Sequence, residues 1–158
     1  MKLYGVLLPL ALCALTAGCA TGDAAGNTAT AVRTIAVTIT STNGTHAFQA
    51  EQAKTAAEQE RGLMYRTALA DDYAMLFWPY PPDGPPRVAS FWMKNTPSSL
   101  DIIFIRPDGT IATIAENAVP QDETQLSSGE PVSAVLEIKG GRSAALGIAA
   151  GDKVNWAK

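Results

Sequence analysis

Two short apolar runs joined by a polar turn constrain this chain more than any other stretch. They lie in Ser90–Ile105 (SFWMKNTPSSLDIIFI), where Asn95-Thr96-Pro97 turns the chain between two predicted strands. Lys94 and Asp101 sit among the apolar residues of these runs. Charged groups in such surroundings are costly unless they are paired or used. The stretch therefore predicts either a structural ion pair across a hairpin or part of a binding site.

Turn signals recur about every ten residues along the chain, the spacing that is typical of β-sandwiches and barrels. Arg33–Thr40 alternates like a half-buried strand, Asn43-Gly44 forms a hairpin turn, and Ala47–Ala53 returns. A capping box at Thr55 predicts one helix over about Ala56–Tyr65. Its buried stripe is expected to hold Ala56, Glu60, Leu63 and Met64, with Glu60 paired to Arg61 at the margin. Further strands are expected at Tyr73–Trp78, Val88–Met93, Leu100–Ile105, Thr110–Ala118, Val132–Lys139 and through Val154 and Trp156, with Val119–Pro131 irregular and Arg142–Leu146 as one helical turn. These elements predict a mainly β fold with one short helix, a compact single-domain sandwich or barrel.

The composition agrees with one globular domain and excludes some partners. Apolar residues make up 47% of the 158 residues and charged residues 17%, which is typical of a packed domain rather than a disordered chain. The net charge of -3 and the lack of any basic run argue against a nucleic-acid partner.

The N-terminal residues predict export. Lys2 precedes an apolar core at Tyr4–Leu15, and the small residues Thr16-Ala17-Gly18 lead to Cys19. A cysteine after such a site resembles a bacterial lipoprotein signal, in which the thiol receives the lipid. Thr16 departs from the aliphatic residue usual in that pattern, and ordinary secretion with cleavage near Gly18–Ala20 is the alternative.

We therefore expect three segments: a lipoprotein-type signal peptide at 1–18, a flexible tether at 19–31 and one β domain at 32–158. The tether is ATGDAAGNTATA after the lipidated Cys19, a composition without apolar anchors. No apolar stretch is long enough to span a membrane permanently. The expected location is the periplasm or the cell exterior, on a membrane surface through the lipid anchor.

The alternation within the strands suggests which side chains line a site. Trp92 and Lys94 share a face, Asp101 shares one with Ile103, and Glu137 shares one with Val135. If these faces meet, an indole, an ammonium and two carboxylates line a shallow concavity, as in many small-ligand sites. The candidate binding residues are Arg61, Trp92, Lys94, Asn95, Asp101, Glu116 and Glu137.

Other kinds of site find little support in the sequence. His46 is the only histidine, and there is no G-x-S-x-G, zinc-binding spacing, P-loop or dinucleotide fingerprint. Met64, Met75 and Met93 lie in apolar runs, where methionine is usually core filler rather than a copper ligand. We expect no metal and no cofactor.

Several segments together resemble the family known as domain of unknown function 192. The matching segments cover most of Val37–Val154 in the expected order: ERGLMYR (60–66), AMLF (74–77), FWMKNT with PSSLDIIFI (91–105), PDGTI (107–111), ENAVP (116–120), VLEIKGG (135–141) and LGIAAGD (146–152). The resemblance implies a single mainly β, jelly-roll-like domain with a short helix carrying the ERGLM segment. It implies no activity and brings no catalytic residues. Ala74 departs from the glycine that the family often has before the Met-Leu-Phe run.

Three functions stay open at this point. The first is a non-catalytic envelope module that binds a small polar ligand such as a saccharide, stacked on Trp92 and Tyr80. The second is an enzyme acting on an envelope glycan through paired carboxylates. The third is docking of a protein partner through the stiff proline-rich loop at Pro79–Pro86, which is expected to carry an exposed aromatic, Tyr80.

Overall fold

The computed structural model describes residues 33–158. The predicted signal peptide, Cys19 and the tether lie outside the described residues. The described elements, in chain order, are β1 (Thr34–Ser41), β2 (Gly44–Ala53), α1 (Ala56–Arg61), β3 (Tyr73–Phe77), β4 (Arg87–Phe91), β5 (Leu100–Ile105), β6 (Ile111–Ala118), β7 (Leu126–Val132), β8 (Ala134–Lys139), α2 (Arg142–Leu146) and β9 (Lys153–Trp156).

Seven of the strands in this part of the chain form one sheet, in the order β6-β5-β8-β3-β2-β1-β9. Pairing is antiparallel except between β2 and β3, which are parallel. Although β6 and β9 are the outermost strands, a bridge joins Thr110 to Lys153, and Val154 N donates to Gly109 O at 2.9 Å. The two edges therefore meet at one end, and the sheet curls into a half-barrel. The remaining strands, β4 and β7, pair as a second small sheet.

Both faces of the central strands are buried. One face packs the interior of the curl, where Ile103, Leu136 and Phe48 belong to one apolar cluster. The other face carries Phe77 and Phe104 and is covered by residues of the small sheet. This arrangement confirms the predicted mainly β, single-domain fold, and it makes β5 fully buried along its length.

Two local predictions were wrong. The structure has a strand, β7, where Val119–Pro131 was expected to be irregular. The strand was missed because Gly129 and Pro131 interrupt its alternation and leave a weak apolar pattern. The helix α1 ends at Arg61 rather than Tyr65, since Gly62 adopts φ 45° and stops it. The capping box of Thr55 and Glu58 is present as predicted. No residue of α1 is buried, so the expected buried stripe on this helix is absent.

Candidate functional site

A cleft of about 410 Å³ opens between α1, the loop that follows it, the proline-rich loop and β4. Apolar and aromatic side chains form its walls: Leu63, Met64, Phe77, Tyr80, Phe91 and Trp92. Its polar and charged lining includes Gln59, Glu60, Arg61, Asp83, Arg87 and Glu137. The cleft lies against the face of the large sheet that the small sheet covers.

Glu137 forms the buried end of this cleft. It lies in β8 opposite Met75 and Ile102 of the neighbouring strands, and it is only 5% exposed. Its Oε2 atom has no hydrogen-bond partner among the described residues. Burial raises the pKa of the Glu137 carboxyl to about 8, and the nearby Leu63 N–H offsets part of the effect. The carboxyl is therefore largely protonated at neutral pH.

A covering loop, Gly62–Arg66, holds this buried end in place. A side-chain carbon at Gly62 would lie 3.2 Å from Phe77 Cζ and 3.6 Å from Glu137 Oε2, so the backbone passes directly over the carboxyl. Arg66 pairs with Glu51 of β2 at 2.9 Å, which ties the end of the loop to the large sheet. Glycine at position 62 is thus required both by its φ and by the close approach.

The covering loop is also fastened to the segment after β4. Tyr65 N donates to Asn95 O at 2.8 Å, and Asn95 Nδ2 approaches Met64 Sδ at 4.0 Å. Tyr65 and Asn95 both adopt positive φ, 65° and 54°. Non-glycine residues in this conformation are uncommon and concentrate near functional sites. Asn95, a predicted binding residue, therefore supports a wall of the cleft through Met64 and does not line the cleft itself.

A second buried acceptor belongs to Gln59 of α1. Its Nε2 donates to Ala53 O at 3.0 Å and to Pro79 O at 2.7 Å. These two carbonyl partners fix the orientation of the amide, because only the nitrogen can donate to them. The remaining Gln59 Oε1 atom is buried and has no partner among residues 33–158.

Aromatic rings form one wall of the cleft. Phe91 packs edge-on against Phe77, with ring centroids 5.1 Å apart, and lies 5.7 Å from Tyr80. Tyr80 was expected to be exposed, but it is half-buried against the core because it turns inward on Phe91. Trp92 is 39% exposed at the mouth. Tyr80 and Trp92 therefore lie beside one concavity, which Glu137 also lines.

The mouth carries charges of both signs. Arg61 and Arg87 are exposed there, as are Glu60 and Asp83. None of the four forms an ion pair with another residue in the described range 33–158. Arg61 lines the same cleft as Trp92 and Glu137, as predicted. The expected ion pair between Arg61 and Glu60 is absent from the described residues.

Lys94 does not line the cleft. Its Nζ lies 5.0 Å from the centre of the Trp92 ring and 3.9 Å from Glu123 Oε2. It makes no pair with Asp101, because β4 and β5 belong to different sheets and do not form the expected hairpin. The lysine is a neighbour of the mouth on the outer side of Trp92.

Asp101 lies on the opposite face of the sheet from Glu137, so the predicted convergence of the two carboxylates was wrong. In the register of β5 and β8, Asp101 pairs with Ile138, while Glu137 pairs with Ile102. Asp101 is fully buried. Its carboxylate accepts from the backbone N–H groups of Asn117 at 2.8 Å, Gly141 at 3.0 Å and Ser143 at 2.7 Å. These bonds anchor the start of α2 and give Asp101 a structural role.

Glu116 lies outside the cleft as well. It is exposed on β6, at the far side of β5 from β8. Of the seven predicted residues, the structure brings Arg61, Trp92 and Glu137 to the cleft lining, and it places Lys94 and Asn95 next to it. Gln59 and Arg87 were missed, since neither belongs to a recognisable motif.

Two kinds of feature are absent from the described part of the chain. No group of three or more His, Cys, Asp or Glu side chains within residues 33–158 is arranged to hold a metal ion. No helix in that range is long and apolar enough to cross a membrane.

Comparisons with known proteins found similar solved structures and one matching family model. The chain is similar to a protein of unknown function from Novosphingobium aromaticivorans, with 51% identity and a TM-score of 0.74 over 78% of this chain and 85% of the other. It is also similar to a protein from Sinorhizobium meliloti described as a proposed transcription regulator, with 42% identity and a TM-score of 0.72 over 78% of this chain and 93% of the other. No curated protein matched. The family model of domain of unknown function 192, described as an uncharacterised ACR, matches residues 37–156. The chain belongs to this family.

Proposed function

We propose that this protein binds a small polar ligand in the cleft, between the aromatic wall and the buried end at Glu137. The observation that carries the proposal is the Glu137 carboxyl: it lines an open cleft, yet its Oε2 atom lacks a partner. A buried polar atom without a hydrogen bond costs about 1–3 kcal/mol. A fold keeps such a group more readily where a ligand completes it.

The size and lining of the cleft support a small ligand. Its volume of about 410 Å³ falls in the range of sites for metabolite-sized molecules. The exposed Trp92 ring and the half-buried Tyr80 ring offer flat apolar faces on which a sugar or another ring can stack. A saccharide is therefore one ligand class to be tested, with Glu137 rather than Asp101 as its polar contact.

A second function is favoured by the raised pKa of the same carboxyl. A carboxyl whose pKa is raised to about 8 by burial is suited to general acid or base catalysis near neutral pH. The predicted two-carboxylate mechanism loses Asp101, however, and the other acids of the cleft, Glu60 and Asp83, are exposed at the mouth. We therefore rank the binding module first and an enzyme with Glu137 as a lone acid–base group second. The docking alternative loses its exposed aromatic, because Tyr80 turns inward.

The proposed place of action is the cell envelope. The supporting features are the apolar segment at Tyr4–Leu15 and the cysteine that follows small residues at position 19. Palmitate labelling of cells that express the wild type and Cys19→Ala tests the lipid anchor. We expect label on the wild type only, and equal label on both proteins would contradict the anchor.

The binding function is tested by ligand-observed and protein-observed NMR with the full-length protein. Neutral sugars, amines and carboxylic acids of metabolite size serve as probes, and Glu137→Gln is compared with Glu116→Gln. The second variant makes the same chemical change outside the cleft. We expect at least one probe to bind the wild type and Glu116→Gln and to bind Glu137→Gln at least tenfold more weakly. Failure of every probe class to shift cleft signals would contradict the proposal.

An enzyme is distinguished from a binding module by turnover. Under the second function, peptidoglycan fragments incubated with the wild type would give new products, and Glu137→Gln would give none. Binding without product formation favours the module.

A further inference from the structure

The cleft has an excess of buried hydrogen-bond acceptors, and this excess indicates the chemistry of its ligand. Two lining residues carry buried polar atoms that lack partners among residues 33–158, namely Gln59 Oε1 and Glu137 Oε2. Both atoms are oxygens. The Gln59 oxygen can only accept, and both Glu137 oxygens accept once the carboxyl is ionised, so a group that completes both residues in that state is a donor.

The Gln59 oxygen cannot be exchanged for a donor by turning the amide. Its nitrogen is held by the carbonyl oxygens of Ala53 and Pro79, at 3.0 and 2.7 Å. A flipped amide would set two oxygens against each other at each of these contacts. Gln59 thus presents an acceptor under any occupant of the cleft.

Glu137 offers the second acceptor, with a formal negative charge when it is ionised. The side chain is 5% exposed. Gly62 and the Leu63 N–H lie beside it, and its charge acts on the buried Tyr73 hydroxyl. An ionised carboxylate in such a site needs a positive partner. No Lys or Arg in the described range pairs with it, and Arg61 and Arg87 are exposed at the mouth.

The aromatic wall favours the same kind of group. The rings of Phe77, Tyr80, Phe91 and Trp92 line the cleft. Aromatic faces attract cations through the negative potential above the ring. A primary ammonium combines a positive charge with three N–H donors on one atom, so it can meet a carboxylate and an amide oxygen together.

We propose that the ligand carries a protonated primary amine, which enters the cleft first and binds between Gln59 and Glu137. This inference rests on the proposed binding function and specifies its ligand class. The rest of the ligand lies along the aromatic wall towards the charged mouth. When the ammonium binds, the carboxyl releases to solvent the proton that its surroundings otherwise retain.

The inference requires a link between affinity and pH. The pKa of Glu137 in the free protein is raised to about 8 by burial, so the carboxyl must lose its proton when an ammonium binds below that pH. The affinity for an amine that stays protonated over this range therefore rises about tenfold per pH unit from pH 6 towards pH 8 and then levels off. A neutral ligand that accepts a hydrogen bond from the protonated acid gives the opposite trend.

Matched probe pairs test the inference on the full-length protein. The pairs are benzylamine with benzyl alcohol and glucosamine with glucose, which differ in the amine alone. Binding is followed by NMR through the three Trp indole signals. Trp92 reports on the cleft, while Trp78 and Trp156, which pack against each other at 6.1 Å outside it, are internal controls.

The expected result is that each amine shifts the Trp92 signal and binds at least tenfold more tightly than its neutral counterpart at pH 8. Benzylamine binding should weaken with falling pH as described, and it should be lost in Glu137→Gln but kept in Glu116→Gln. If Glu137→Gln does not fold, the pH series on the wild type decides alone.

Two results would overturn the inference in distinguishable ways. Equal or tighter binding of the alcohol or glucose, or an affinity that falls between pH 6 and pH 8, would exclude the amine and leave the binding function intact. If no probe of either pair shifts the Trp92 signal at millimolar concentration, the amine inference fails, and if the wider probe classes fail too, the binding function fails with it.

Discussion

Replacing Glu137 by Gln should change how the stability of this protein depends on pH. The Glu137 carboxyl is buried, and its pKa is raised from 4.5 to about 8. Between these two values the folded protein keeps a proton that the unfolded chain has released. The wild type therefore loses stability as the pH rises through this window, whereas Gln carries no ionisable proton.

The size of the effect follows from the pKa difference. Each pKa unit corresponds to about 1.4 kcal/mol, so the shift from 4.5 to about 8 amounts to about 5 kcal/mol. The free energy of unfolding of Glu137→Gln, minus that of the wild type, should rise by this amount between pH 4.5 and pH 8. Above pH 8 the difference should become constant, since both the folded and the unfolded wild type are then ionised.

Urea unfolding followed by tryptophan fluorescence measures this difference at half-unit steps from pH 4.5 to pH 9. Taking the difference between variant and wild type cancels the titration of groups elsewhere in the chain. Glu116→Gln is the matched control, because Glu116 is exposed, and its difference from the wild type should stay flat.

A constant difference between Glu137→Gln and the wild type across this pH range would refute the reasoning. It would mean that Glu137 has an ordinary pKa in the folded protein, and hence that it is hydrated or paired.

Three further variants test the neighbouring assignments by urea unfolding. Asp101→Ala should lower the free energy of unfolding by about 3–5 kcal/mol, because three backbone N–H groups lose their buried carboxylate partner. A decrease below about 1 kcal/mol would contradict the structural role of Asp101. Lys94→Met should lose less than about 1 kcal/mol and keep probe binding, since Lys94 contacts only Glu123 and the Trp92 ring among described residues; lost binding would place it in the site. Gly62→Ala should lose about 1–3 kcal/mol through its φ of 45° and the contact with Phe77, and an unchanged stability would contradict the close approach.

The fold was largely predictable because its signals are local. β1 and β2 follow from alternation on both sides of an Asn-Gly turn, and β5 was predicted with its observed bounds, Leu100–Ile105. The capping box placed the start of α1 correctly. The strand β7 was missed because Gly129 and Pro131 interrupt its apolar pattern, and its pairing with β4 is not visible in the local sequence.

The candidate site was predictable only in part, because it depends on the register between distant strands. Alternation correctly grouped Asp101 with Ile103 and Glu137 with Val135, within each strand. It could not say how the two strands align. A shift of one residue moves a side chain to the other face of the sheet, and the actual register sends Asp101 and Glu137 to opposite faces.

Gln59 shows a second limit of prediction from the sequence. Its side chain becomes an unpartnered acceptor only because its nitrogen reaches the carbonyls of Ala53 and Pro79, which belong to two other elements. No spacing in the sequence encodes that contact.

The central claim is that the Glu137 carboxyl is buried at the end of an open cleft and that its Oε2 atom has no partner among residues 33–158. Its titration by carbon-13 NMR, read from the side-chain carboxyl signal of the wild type, tests this most directly. The account predicts a midpoint near pH 8 in the free protein and a lower midpoint when benzylamine is bound. A midpoint between about 4 and 5, the ordinary range for glutamate, would contradict it.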